Sequence, residues 1–223
     1  MTRQSDTAPK MEMRRFSPYR DTTIVDWESV KLTSAVTLYS CALGAAAVLV
    51  SFLVRMNAPQ HMTPIPSMFF SLAGALAALL ITWPSIYWIA SGNEGPRSLW
   101  QWSVIGLVYG LLMPFLTGAL LPLSAVFVEL TIGTIKLGQL WSQSWNAVFQ
   151  APAYSFIHGT IGIFTGLLAG ALLGIGGWVI DRINSISNPI ARRYCPWAMS
   201  LILGSIVVGF AVFGSPETLA RLG

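Results

Sequence analysis

The chain has 223 residues, 54% of them hydrophobic and only 10% charged, with a mean hydropathy of +0.62. Soluble domains carry roughly 25% charged residues, so this balance excludes a water-soluble globular domain and predicts a single polytopic membrane domain. The formal charge of +4 and pI near 9.3 need no nucleic-acid partner, because basic residues beside anionic lipid headgroups account for them.

Residues 1–31 read as a charged cytoplasmic segment, with six basic residues (Arg3, Lys10, Arg14, Arg15, Arg20, Lys31) against five acidic ones. A cleavable signal peptide would lead from a basic start straight into a short apolar stretch. Here the first apolar run, Leu32 to Val54, is 23 residues long and Arg55 closes it, so it is expected to remain as an anchor. The acidic residues of the leader also argue against an organelle transit peptide.

A transmembrane helical domain is expected over 32–214. Five stretches contain no Asp, Glu, Lys or Arg: 32–54, 65–90, 99–121, 154–180 and 197–213. About 20 apolar residues cross a hydrocarbon core of about 30 Å, so the first four are long enough even when tilted and the fifth is at the short end. Six Lys or Arg precede span one; the later loops carry Arg55, then Arg97, then Lys136, then Arg182, Arg192 and Arg193, with Arg221 in the tail at 215–223. With the N-terminus inside, ten basic residues fall on the cytoplasmic side and three outside. The positive-inside rule favours that orientation, which puts the C-terminus outside and suits a bacterial inner membrane.

Prolines punctuate the middle of the chain at Pro84, Pro114 and Pro122, and Pro122 is expected to end a helix. After it, Glu129, Lys136, Gln139, Gln143, Asn146 and Gln150 recur at helical spacing, opposite Leu123, Val126, Phe127, Leu130, Leu137, Trp141, Trp145 and Val148. The spacing predicts one amphipathic helix over 123–150. Either it crosses as a sixth span with a wet face, or it lies flat in the outer interface, where Trp is at home. A sixth crossing would weaken the charge asymmetry, so the flat helix is preferred.

In span four Gly159, Gly162, Gly166, Gly170, Gly174 and Gly177 fall within about 120° of one helix face, opposite Ile161, Phe164, Leu168, Leu172, Ile175 and Val179. Each glycine would cost a soluble helix about 1 kcal/mol relative to alanine. In lipid, where the backbone is held helical, small residues instead let two helices approach closely. The spacing resembles the small-xxx-small motifs and glycine zippers of membrane oligomers, and it implies either packing within the bundle or docking of another subunit or copy.

Candidate chemistry is sparse. His158 lies just inside span four and His61 in the first outer loop, on one side of the membrane in this topology. Together they would suit a haem or pigment magnesium; separately, His158 bonds a carbonyl or water and His61 is solvated. The separate reading is preferred and no cofactor is predicted. Glu129, Lys136, Gln139 and Gln143 form either a solvated stripe or the lining of a polar path. Cys41 and Cys195 belong to different spans, so no disulfide is expected, and no hydrolase, zinc or phosphate-loop motif occurs. The expectation is an all-α bundle of five transmembrane helices plus one interfacial helix. It would serve as a non-enzymatic subunit or assembly and stabilising factor of a larger membrane complex, docking through its glycine face, or alternatively as a small oligomeric transporter or channel. Its partners would be the bilayer and other subunits or itself.

Overall fold

The computed structural model describes residues 27–56, 64–92, 96–185 and 188–213. Most of the leader, the connection bearing His61 and the C-terminal tail lie outside the described residues. Five α-helices follow one another: α1 (Trp27–Met56), α2 (Pro64–Gly92), α3 (Leu99–Ile132), α4 (Leu140–Asn184) and α5 (Pro189–Phe213), with one 3₁₀ turn at Leu137–Gln139 and no strand among the described residues. α1 to α4 are long and apolar enough to cross a membrane, and α5 carries a shorter apolar stretch, Arg193–Gly209.

Helices α3 and α4 form the spine, an antiparallel pair whose backbones touch. A methyl group added to Gly106 would meet the Gly170 carbonyl, one on Gly170 the Gly106 carbonyl, and one on Gly166 the Gly110 carbonyl; Gly118 meets the backbone at Tyr154 and Ser155. Small residues permit this approach, and in lipid it supplies the dispersion contact that the hydrophobic effect supplies in water. Pro114 leaves the Gly110 carbonyl without its helical partner, and that carbonyl is the one facing Gly166. Toward the start of α3, a methyl on Gly174 would come within 3.1 Å of the Trp102 carbonyl. Side chains of α3 fill the remaining notches: the Phe115 ring covers Gly159, Pro114 covers Gly162, and the Trp102 ring lies on Gly177. Gly176, off that face, accommodates the ring of Tyr39 from α1.

Two expectations are corrected. The first is docking of another subunit through the glycine face of span four. Gly159, Gly162, Gly166, Gly170, Gly174 and Gly177 are all covered by α3 of the same chain, so the face packs within the bundle and leaves no room for a second occupant.

The second concerns 123–150, which is not a single helix, and Pro122 does not end one. α3 runs through both Pro114 and Pro122 to Ile132, because packing against α4 holds the backbone helical where a proline removes one hydrogen bond. The chain reverses at Gly133, whose φ of 82° is the left-handed conformation glycine tolerates, and the amides of Gly133 and Thr134 cap the carbonyls of Leu130 and Glu129. Residues 140–150 then open α4. The predicted amphipathic segment is thus the far end of a helical hairpin. At about 1.5 Å per residue α3 is about 50 Å long and α4 longer, against a hydrocarbon core of about 30 Å.

α1 and α2 repeat the close approach on a smaller scale, Gly44 against Gly74. α5 rests on α1, with Ala42 against Gly204 and the Ser200 hydroxyl donating to the Ala35 carbonyl at 2.7 Å. The buried core lies where α1, α3 and α4 meet: Val36, Tyr39, Leu43, Trp102, Tyr109, Leu173 and Ile180.

Because the Gly170 notch is closed by backbone and not by a movable side chain, Gly170→Val is expected to destabilise the protein by about 3 kcal/mol or more. Gly138→Val, where nothing lies within 4 Å, should shift stability by less than about 0.5 kcal/mol. Thermal unfolding in detergent, followed by circular dichroism, compares the two.

Candidate functional site

A buried ion pair, Arg97 with Asp181, lies where α2, α3 and α4 meet. Ser98 caps α3 in a capping box with Gln101, its Oγ accepting from the Gln101 amide at 3.3 Å while Gln101 Oε1 accepts from the Ser98 amide at 3.0 Å. This cap fixes the preceding residue, Arg97, over the end of α4. There Asp181 Oδ2 accepts from the Arg97 amide at 2.8 Å and from Trp102 Nε1 at 3.0 Å. Its Oδ1 faces Arg97 Nη1 at 3.4 Å, and Arg97 Nη2 donates to the Ile89 carbonyl at 3.1 Å. Arg97 is 5% exposed, Asp181 3% and Trp102 1%. A buried carboxylate is tolerable only when paired and hydrogen-bonded, and here three donors surround it.

Sequence reasoning missed this cluster. Arg97 counted only as a loop charge, and Asp181 went unweighed although it directly follows the charge-free run of span four. The available signal was positional: acid and base each flank a span of what proves to be one hairpin.

Nearer the middle of the helices, polar side chains tie helix to helix. Ser40 and Thr82 share a hydrogen bond of 2.7 Å, Tyr109 Oη donates to the Ser40 carbonyl at 3.1 Å, Tyr39 Oη donates to the Leu172 carbonyl at 3.0 Å, and Ser51 meets Thr165 at 3.0 Å. Such bonds contribute about 0.6 kcal/mol each on average in membranes, and their value here is in fixing rotation and register.

The residues singled out from sequence as chemical candidates are dispersed. His158 stacks on Tyr154, centroids 5.4 Å apart, beside a cavity of about 50 Å³ between α1, α3 and α4 whose polar lining is Ser51, Thr117, His158 and Thr165. Ser51 and Thr165 also lie within hydrogen-bond distance of carbonyls of their own helices, Ala47 and Gly162, so that one hydroxyl donates to its carbonyl and accepts from the other. Thr117 donates to the sulfur of Met113. His61 lies outside the described residues. Glu129 ends α3, Lys136 follows the reversal, Gln139 is in the 3₁₀ turn and Gln143 starts α4; the first three are exposed and Gln143 is half-buried, at the hairpin's far end and not inside the bundle. Cys41 and Cys195 are free thiols. Among the described residues no three His, Cys, Asp or Glu come together as a metal site would require.

Removing one partner of a buried pair costs about 3–5 kcal/mol, so Asp181→Leu and Arg97→Met should each destabilise by that amount. The double variant should recover most of the loss, because no uncompensated charge remains buried. Unfolding midpoints of the two single variants and the double variant measure the coupling.

Against protein-family profiles, curated proteins and solved structures, the chain has no match in any of the three comparisons.

Proposed function

We propose that this protein is a non-enzymatic integral membrane subunit, an assembly or stabilising factor for a larger membrane complex. The observation that carries the reading is the use made of its polar groups. Ser40, Thr82, Tyr39, Tyr109, Ser51, Thr165 and Ser200 hold one helix to another, and the Arg97–Asp181 pair clamps three elements at one end. Side chains committed to internal ties suit a rigid scaffold. With α3 seated on the glycine face, partners would meet other surfaces. One is the exposed apolar side of α2, with Leu72, Leu76, Leu80, Trp83 and Trp88; another is the projecting end of the α3–α4 hairpin.

All five helices cross in this reading, α5 with the least margin, and the bilayer is a bacterial inner membrane. Lys31, Arg97, Arg182 and Arg193 belong to one end of the bundle and Lys136 to the other, so the positive-inside rule turns the first end to the cytoplasm. Trp88, Trp100, Tyr194 and Trp197, all exposed at that end, suit a headgroup belt.

Extraction in a mild detergent, followed by mass spectrometry of what co-purifies, tests the assignment: the expected result is recovery with a defined set of membrane proteins. Solute flux through liposomes holding this protein alone, altered by Glu129→Gln, would replace it with the transporter reading.

A further inference from the structure

Two faces of α4 change character at different levels. In the span, Ile157, Ile161, Phe164 and Leu168 are all exposed, 53% to 82%. At about 100° per residue the same face continues beyond Gln150 as Asn146 and Gln143. A lipid-facing surface that turns to amides within two turns marks the edge of the hydrocarbon between Gln150 and Ile157. The hairpin beyond that edge is nevertheless not polar all round. Turned by roughly 120° from the amides runs an aromatic ridge, Trp141, Trp145 and Phe149, exposed at 75%, 48% and 79%. Its rings touch in sequence, with centroids 5.8 and 6.2 Å apart. The ridge continues without a polar interruption to Phe156, 69% exposed, inside the span. Near the level where it leaves the hydrocarbon, both helices of the hairpin carry a proline, Pro122 in α3 and Pro152 in α4, which leave the carbonyls of Gly118 and Val148 without helical partners.

We propose that the aromatic ridge of the hairpin end is a lipid-docking surface, with the hairpin leaning at the Pro122–Pro152 level so that Trp141, Trp145 and Phe149 enter the headgroup–acyl boundary of the leaflet it emerges from. The occupant is lipid because the ridge is continuous with the surface that already faces acyl chains, because indole rings favour that depth, and because the amide face then points to water, as in an interfacial amphipathic helix. With Lys136 the one basic residue in 123–150, docking draws on apolar and indole contact and needs no anionic lipid. The inference rests on the membrane-spanning reading and is independent of whether the protein is a subunit or a transporter.

The test uses the full chain with Cys41 and Cys195 replaced by alanine, reconstituted in phosphatidylcholine vesicles, with a nitroxide label at Trp141→Cys, Trp145→Cys, Phe149→Cys, Gln143→Cys or Phe164→Cys in turn. Collision of the label with oxygen, enriched in lipid, is compared with collision with a water-soluble nickel chelate. Labels on the ridge should favour oxygen severalfold over the label at 143, at a depth shallower than 164. Equal access of the chelate to 145 and 143 would overturn the proposal, leaving the ridge in water. Shielding of the ridge from both reagents would also overturn it, in favour of a second copy. If the label at 164 failed to favour oxygen, the spanning reading itself would fall.

Discussion

Direct contact between the backbones of α3 and α4 is the constraint on which the rest of this structure depends. Gly106, Gly110, Gly166 and Gly170 bring backbone against backbone, with the Pro114 ring beside Gly166, so their axial register is set largely by backbone shape. That register carries Trp102 onto Gly174 and Gly177 and brings its indole within reach of Asp181. It brings the start of α3, and with it Arg97, to the end of α4. The same register runs on toward the reversal at Gly133, where Val126 and Ala147 are buried in the hairpin.

Around this spine the bundle handles polar groups in two ways. The hydroxyls of Tyr39, Tyr109 and Ser200 donate to carbonyls of neighbouring helices and that of Thr82 to its own preceding turn, which lowers the cost of placing a polar atom in hydrocarbon. The buried hydroxyls of Thr33 and Thr37 have no such partner. Charge is kept to the ends, and where it is buried, at Arg97 and Asp181, a backbone amide, an indole and a helix-terminal carbonyl complete the hydrogen bonding. The pair therefore acts as a corner joint between α2, the α2–α3 connection, α3 and α4.

Composition and helical periodicity made the class of protein legible, because a charge-free run of twenty residues has few fates other than a bilayer. The closeness of the contact along the glycines of span four was equally readable, since only a backbone or ring fits such a groove. Which element fills the groove was not readable, because glycine spacing is the same whether α3 or another chain occupies it. The segment 123–150 was misread for a related reason. Its period is helical on both sides of the reversal, and the glycine that interrupts it, Gly133, is marked by a backbone angle that no spacing rule registers. Asp181 was overlooked because a lone acid at a span's edge looks solvated until the fold supplies Trp102 and Arg97.

The corner joint also bears on how the chain is made. Its two charged members are 84 positions apart, and a chain that emerges from its N-terminus delivers Arg97 long before Asp181. During that interval the guanidinium has its bond to the Ile89 carbonyl of α2 but lacks its carboxylate. Arrival of the last turn of α4 supplies the missing carboxylate. The charge pairing at this end of the bundle is thus complete only with the last turn of the fourth helix.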